Sequence, residues 1–219
     1  LNSHAQKMDA IYSVQRHFYD LTRKPYLLGR DVLLRELNPP ANGSLLEAGC
    51  GTARNLIHAA RLYPDLRCFG FDVSQAMLET AASSIAQTNL TDRISLAHAD
   101  ADGFQPHSAF GIQRFDRIMI SYAFSMIPRW ESVLEDSLNM LEPDGALLIV
   151  DFGDQLNLPH WFRAILFSWL RLFSVTPRLD LFDAIERVAR SGHYKYEVRR
   201  LYAGYAALAI IRGAGNPDK

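Results

Sequence analysis

Leu45-Leu46-Glu47-Ala48-Gly49-Cys50-Gly51-Thr52-Ala53-Arg54-Asn55 is the stretch that decides the fold. An apolar run ends in an acid, passes two glycines one residue apart, and enters a helical pattern. A second apolar run, Cys68-Phe69-Gly70-Phe71, ends in Asp72. Strand, glycine turn, helix, strand and terminal acid make a nucleoside-binding half-sheet.

Outward from that unit the pattern keeps alternating. Helical spacing covers 6–37, broken near Pro25 and stopped by Pro39-Pro40-Ala41-Asn42-Gly43. Residues 1–43 therefore read as an N-terminal helical extension, a lid on the rest. Strands are expected over 44–47, 67–71, 94–97, 115–121 and 146–151. Helices fall at about 53–62, after Ser74 as N-cap, and at 131–141, before the turn Pro143-Asp144-Gly145. Such alternation implies an α/β domain with a doubly wound, Rossmann-like sheet and helices on both faces. Two β-rich runs, 194–201 and 205–212, flank Tyr202-Ala203-Gly204 and predict an antiparallel C-terminal hairpin. Residues 44–219 are read as one domain, with a helical insertion over 155–190.

Composition narrows the class. The chain has 219 residues, 48% of them hydrophobic, enough for one sizeable core. Its two cysteines, Cys50 and Cys68, form no CxxC or Cys/His cluster, so no disulfide framework or metal site is expected, and a reduced cytoplasmic compartment fits. No signal peptide and no run of eighteen apolar residues is seen, so no membrane span is expected. The chain opens on Leu1, with Met8 a candidate native start. Net charge is −1, but unevenly spread: +2 over 1–43, −8 over 44–154, +4 over 155–200 and +1 over 201–219. The basic residues form no run, which argues against nucleic acid and leaves an anionic lipid surface as a partner.

Gly49 and Gly51 let the backbone turn tightly against a ligand, and the following helix points its N–H groups there. Glu47 and Asp72 end strands at the carboxyl edge of the sheet. Asp72, followed by Val73, is placed to accept hydrogen bonds from both ribose hydroxyls. Asp100, followed by Ala101, stands after the third strand, within reach of an adenine amino group. Singly, each acid reads as well as a plain strand-end acid; jointly, the spacings favour a nucleoside site. A dinucleotide fingerprint asks for glycine at position 54, where this chain has Arg54, and does not ask for an acid at position 47, near a pyrophosphate. Glu47 suits a ligand with an ammonium group and no phosphate. S-adenosylmethionine is such a ligand, and it is favoured here over NAD.

These residues resemble the class I S-adenosylmethionine-dependent methyltransferases, over about residues 44–212. Ala53 stands where many members carry a third glycine. Three further segments narrow the likeness: Ile11-Tyr12 through Tyr19-Asp20-Leu21-Thr22-Arg23-Lys24 to Gly29-Arg30-Asp31; Ser121-Tyr122-Ala123-Phe124-Ser125-Met126-Ile127-Pro128; and Val150-Asp151-Phe152-Gly153-Asp154-Gln155 with Pro159-His160-Trp161-Phe162. They are similar to the bacterial enzymes that trimethylate diacylglyceryl-homoserine to betaine lipid, and less closely to bacterial phosphatidylethanolamine N-methyltransferases. The resemblance implies a lipid amine as methyl acceptor, an enzyme partner that supplies diacylglyceryl-homoserine, and a cytoplasmic protein peripheral on the inner membrane face. Ser121 and Tyr122 would face the methyl end, with Tyr122 either positioning the amine or packing under the N-terminal helix. Tyr19 and Arg30 would close over the methionine part, Arg30 pairing its carboxylate; the alternative for Arg30 is a surface charge beside Asp31 and Glu36. Asp151 reads equally as substrate-orienting or structural.

On a helix over 160–174, His160, Arg163, Ser168, Arg171 and Ser174 share one sector of roughly 140°. Trp161, Phe162, Ile165, Leu166, Trp169, Leu170, Leu172 and Phe173 fill the rest, with Phe167 on the polar side. Two tryptophans and flanking arginines fit a helix in a membrane interface. The competing reading is a helix packed on the sheet as a lid.

Overall fold

The structure is a computed structural model and describes residues 27–172 and 175–213. Its elements are α1 (Arg30–Glu36), β1 (Ser44–Ala48), α2 (Arg54–Leu62), β2 (Arg67–Asp72), α3 (Gln75–Gln87), β3 (Ile94–His98), α4 (Pro106–Phe110), β4 (Phe115–Ser121), α5 (Trp130–Asn139), β5 (Leu141–Phe152), α6 (His160–Leu172), α7 (Leu181–Ser191), β6 (Lys195–Leu201) and β7 (Ala206–Arg212). The reading of 6–26 as helix, and with it most of the N-terminal extension, lies outside the described residues.

The strands form one seven-stranded sheet in the order β3-β2-β1-β4-β5-β7-β6. β1 to β5 run parallel; β7 pairs antiparallel with β5, and β6 with β7. This is the doubly wound sheet with an antiparallel C-terminal hairpin that the alternation predicts. Tyr202, Ala203 and Gly204 all take positive φ in its turn.

Side-chain alternation assigns each face its helices. Leu45, Cys68, Met119, Leu148 and Leu208 look toward α1, α2, α3 and α6, while Leu46, Phe69, Ile118, Leu147 and Ala209 look toward α4, α5 and α7. The central strands are buried on both sides, and so read as continuous apolar runs.

The last parallel strand differs from expectation. β5 begins at Leu141, which pairs with Phe115, and the register then shifts before Arg117 meets Ala146. Pro143-Asp144-Gly145 is accommodated at this irregularity within the strand. Proline is tolerated there because the ladder is already interrupted. α1 is held at its C-terminal end by Arg117 of β4, whose guanidinium donates to the Leu37 and Asn38 carbonyls at 2.5 and 2.6 Å. A cation there also suits the helix dipole.

The order in which strands are added reverses between β1 and β4: β2 and β3 extend the sheet one way, β4 and β5 the other. The carboxyl ends of β1 and β4 thus open a crevice, the usual ligand site of such sheets.

Candidate active site

A cleft of about 980 Å3, its open mouth included, occupies that crevice. Its lining includes Arg30, Glu47, Gly49, Gly51, Asp72, Val73, Asp100, Ala101, Ser121 and Tyr122. The site residues named from the sequence are therefore gathered in one cleft, except Asp151, which does not line it, and Tyr19, which lies outside the described residues.

The glycine turn leaves β1 with Gly49 at φ 70° and Gly51 at φ 52°. A Cβ on Gly49 would stand 2.9 Å from the Ala123 methyl, so this position needs glycine for space as well as conformation. Ala53 is also left-handed, at φ 60°, and fully buried. The third glycine of the related motif is thus a conformational requirement, and alanine there carries about 1–2 kcal/mol of strain.

Asp72 staples the turn. Its Oδ2 accepts from the Gly51 amide at 2.8 Å and its Oδ1 from the Ser74 amide at 2.9 Å. Ser74 caps α3 as expected, its hydroxyl accepting from the Met77 amide. Burial pushes the Asp72 carboxyl above its ordinary range, against the pull of these amides. Each carboxylate oxygen keeps a second lone pair, so the staple leaves room for a ribose diol.

Glu47 is 1% exposed. Its Oε1 accepts from Asn55 Nδ2 at 2.7 Å, while its Oε2 is buried with no hydrogen-bond partner. Desolvation raises its pKa to about 8, with the Asn55 bond and the charges of Arg30 and Arg54 opposing. A buried acceptor left open at a cleft wall is a place for a donor from a ligand, and an ammonium group fits it. The residues present therefore fit S-adenosylmethionine.

The opposite wall is made by the end of β4 and the segment after it, with Ser121, Tyr122, Met126, Ile127 and Pro128. Ser121 Oγ is buried and unpartnered. Tyr122 takes φ 56°, and its hydroxyl donates to the Leu28 carbonyl at 2.5 Å. Its ring meets Phe152 edge-on at 4.8 Å. Burial pushes its phenol well above the ordinary range, so it holds its proton. Asp151 is fully buried; its oxygens accept from the Phe152 and Ser125 amides at 2.7 and 3.1 Å. It tethers the loop after β4 and is absent from the cleft lining, the structural alternative of its two readings. Asp100 lines the cleft, and its Oδ1 accepts from the Asp102 amide.

Two contributors escaped the sequence. Asn55 is a buried polar residue in the first turn of α2, followed by the buried Leu56 and Ile57. Such a residue is a poor helix former, and that was its one signal. Gly70 lies mid-strand, where a Cβ would meet Leu56 Cδ1 at 2.5 Å and Cys50 Cβ at 2.9 Å. It lets α2 and the turn settle on β2.

On α6, Leu166 and Leu170 are buried, with Phe162, Phe167 and Trp169 packed against the same core. Trp161 and Ile165 remain 66% and 62% exposed. The apolar sector therefore splits between a core face and an outward pair. Among the described residues, no helix is long and apolar enough to cross a membrane.

Residues 45–145 match the family described as a methyltransferase domain. Among curated relatives, the demethylmenaquinone methyltransferase of Lactobacillus johnsonii is 28% identical over 68% of this chain, which spans only 57% of that protein. The ubiquinone/menaquinone biosynthesis C-methyltransferase UbiE of Nitrobacter hamburgensis is 28% identical over 85% of this chain and 72% of its own length. Among solved structures, the plantazolicin methyltransferase BpumL, in complex with an analogue and S-adenosylhomocysteine, superposes with a TM-score of 0.68 at 14% identity, covering 96% of this chain and 97% of its own. A little under half of the chain thus resembles a methyltransferase domain, the fold is the Rossmann-like one of the solved methyltransferase structure, and the cleft residues fit S-adenosylmethionine as cofactor.

Proposed function

Starting from that match to a methyltransferase domain, we propose that the chain transfers a methyl group to the amine of a lipid headgroup, diacylglyceryl-homoserine foremost. The observation that carries the site reading is the open, buried Oε2 of Glu47 beside the Gly49–Gly51 turn. When bound, S-adenosylmethionine supplies a methyl group on a sulfonium, open to in-line displacement by a lone pair. The chain's own residues align and enclose. Glu47, set by Asn55, holds the ammonium end. Asp72 holds the ribose, and Val73, Asp100 and Ala101 border the base. The Tyr122 hydroxyl donates its one hydrogen bond to Leu28 O and keeps lone pairs that can accept from an incoming amine. A quaternary ammonium product favours aromatic walls, which Tyr122 offers here and Tyr19 is proposed to offer.

A lipid acceptor is supported by the outward Trp161 and Ile165 on a helix that carries Arg163 and Arg171 and no acid. Such a surface suits peripheral contact with an anionic membrane. A second reading, methylation at carbon of a quinone-type ring, is favoured by the names of the two relatives above. One experiment separates them. The protein is incubated with methyl-labelled cofactor and micelles of diacylglyceryl-homoserine, phosphatidylethanolamine or reduced demethylmenaquinone. Label in the homoserine lipid is expected. Label in the quinol alone establishes the second reading. No label anywhere, with S-adenosylhomocysteine shown to bind, removes all three acceptors.

A further inference from the structure

In the sequence, Arg54 serves only to argue against a dinucleotide site. In the structure it opens α2 and lines the cleft with Glu47 and Asn55. Asn55 stands between two opposite charges: its Nδ2 donates to Glu47 Oε1 at 2.7 Å, and its Oδ1 accepts from Arg54 Nη1 at 3.3 Å. Each charged group also keeps one buried atom without a hydrogen bond, Glu47 Oε2 and Arg54 Nε. Two such atoms at one wall call for a common explanation. The ion pair from Arg54 to Asp31 does not provide it, because it spans 3.6 Å and Asp31 is 69% exposed.

An open acceptor on a carboxylate and an open donor on a guanidinium, spaced by one amide, form a template for a zwitterion. The matching ligand carries an ammonium and a carboxylate on the same carbon. Arg30, the residue expected to take the carboxylate, directs its Nε to the Leu27 carbonyl at 3.1 Å. Arg54 has the planar fork that carboxylate recognition uses.

We propose that Arg54 binds the carboxylate of the cofactor's amino-acid part while Glu47 binds its ammonium, with Asn55 as the positioning residue that sets their separation. The inference rests on the cleft being the S-adenosylmethionine site. The cleft then recognises a whole α-amino acid as well as a nucleoside.

Calorimetry with two probes tests this. S-adenosylhomocysteine carries the amino acid; 5′-methylthioadenosine keeps the nucleoside and thioether without it. Arg54→Gln is expected to weaken S-adenosylhomocysteine by about tenfold to a hundredfold and leave methylthioadenosine unchanged. Arg54→Lys should recover part of the loss, as a point charge without the fork. Asn55→Ala should show the same ligand-selective loss, with thermal melting confirming that it folds. Equal weakening of both probes by Arg54→Gln makes Arg54 a shaping residue and overturns the proposal. So does a selective loss in Arg30→Gln with Arg54→Gln unaffected. A wild-type protein that binds neither probe overturns the cofactor reading itself, a result distinct from the other two.

Discussion

Cofactor affinity should depend on pH through Glu47. Its pKa of about 8 in the unliganded protein means that near pH 7 only about one molecule in eleven carries the carboxylate. An ammonium ligand needs the charged form, so binding at pH 7 bears a cost on the order of 1 kcal/mol, roughly tenfold in affinity. At pH 6 the factor is roughly a hundred, and above pH 8 it fades. Binding must also release close to one proton at pH 7 and about half of one at pH 8. The assay is titration calorimetry with S-adenosylhomocysteine from pH 6 to 9, in buffers of different ionisation enthalpy. Glu47→Gln supplies the baseline, because it retains the ligand's own amine titration and removes that of the carboxyl. The wild-type affinity should climb relative to this baseline and level off near pH 8. Parallel curves without proton release would refute the reasoning, since the buried carboxyl would then not be meeting the ammonium.

The same residue links the unliganded fold to pH. Burial favours the neutral acid, so its contribution is full below 4.5 and is lost as pH rises toward 8; melting temperature should fall between pH 5.5 and 8.5, and fall less in Glu47→Gln. Equal slopes for the two proteins would count against the burial argument. Asp72→Ala should weaken S-adenosylhomocysteine by more than about tenfold, and should also lower the melting temperature, because the carboxylate holds the Gly51 and Ser74 amides; unchanged affinity would mean the ribose assignment is wrong. Gly70→Ala places a methyl 2.5 Å from Leu56 Cδ1 and should cost about 1–3 kcal/mol by urea unfolding. A neutral result would show that α2 can move off β2.

The parallel strands were legible because both faces of the central sheet are covered, leaving apolar runs bounded by turn residues. Ser74 and the Tyr202–Gly204 turn were legible for similar local reasons. The start of β5 was not: Pro143-Asp144-Gly145 is turn chemistry, and only the tertiary register shows that pairing resumes across it. The acids of the site were visible as strand ends. Their partners were not, because the bond from Asn55 to Glu47 and those from Gly51 and Ser74 to Asp72 depend on how α2 and the loops fold back. In the sequence Ala53 is only an alanine where related chains carry glycine; its φ of 60° shows a backbone demand that composition cannot express. Tyr122 left two readings, positioning an amine or packing under the N-terminal helix, and only the structure shows its hydroxyl anchoring the segment before α1.

β7 sits between β5 and β6 in space but follows both along the chain. Until residues 206–212 are available, β5 keeps an open edge from Ala146 to Phe152, every residue of which is buried in the finished sheet. An unpaired apolar edge is a template for a neighbouring chain. The molecule is therefore most prone to aggregate after the parallel part has formed and before β7 slots in. Dilution or a chaperone that shields apolar edges during that last step should improve recovery more than the same help given to the early collapse.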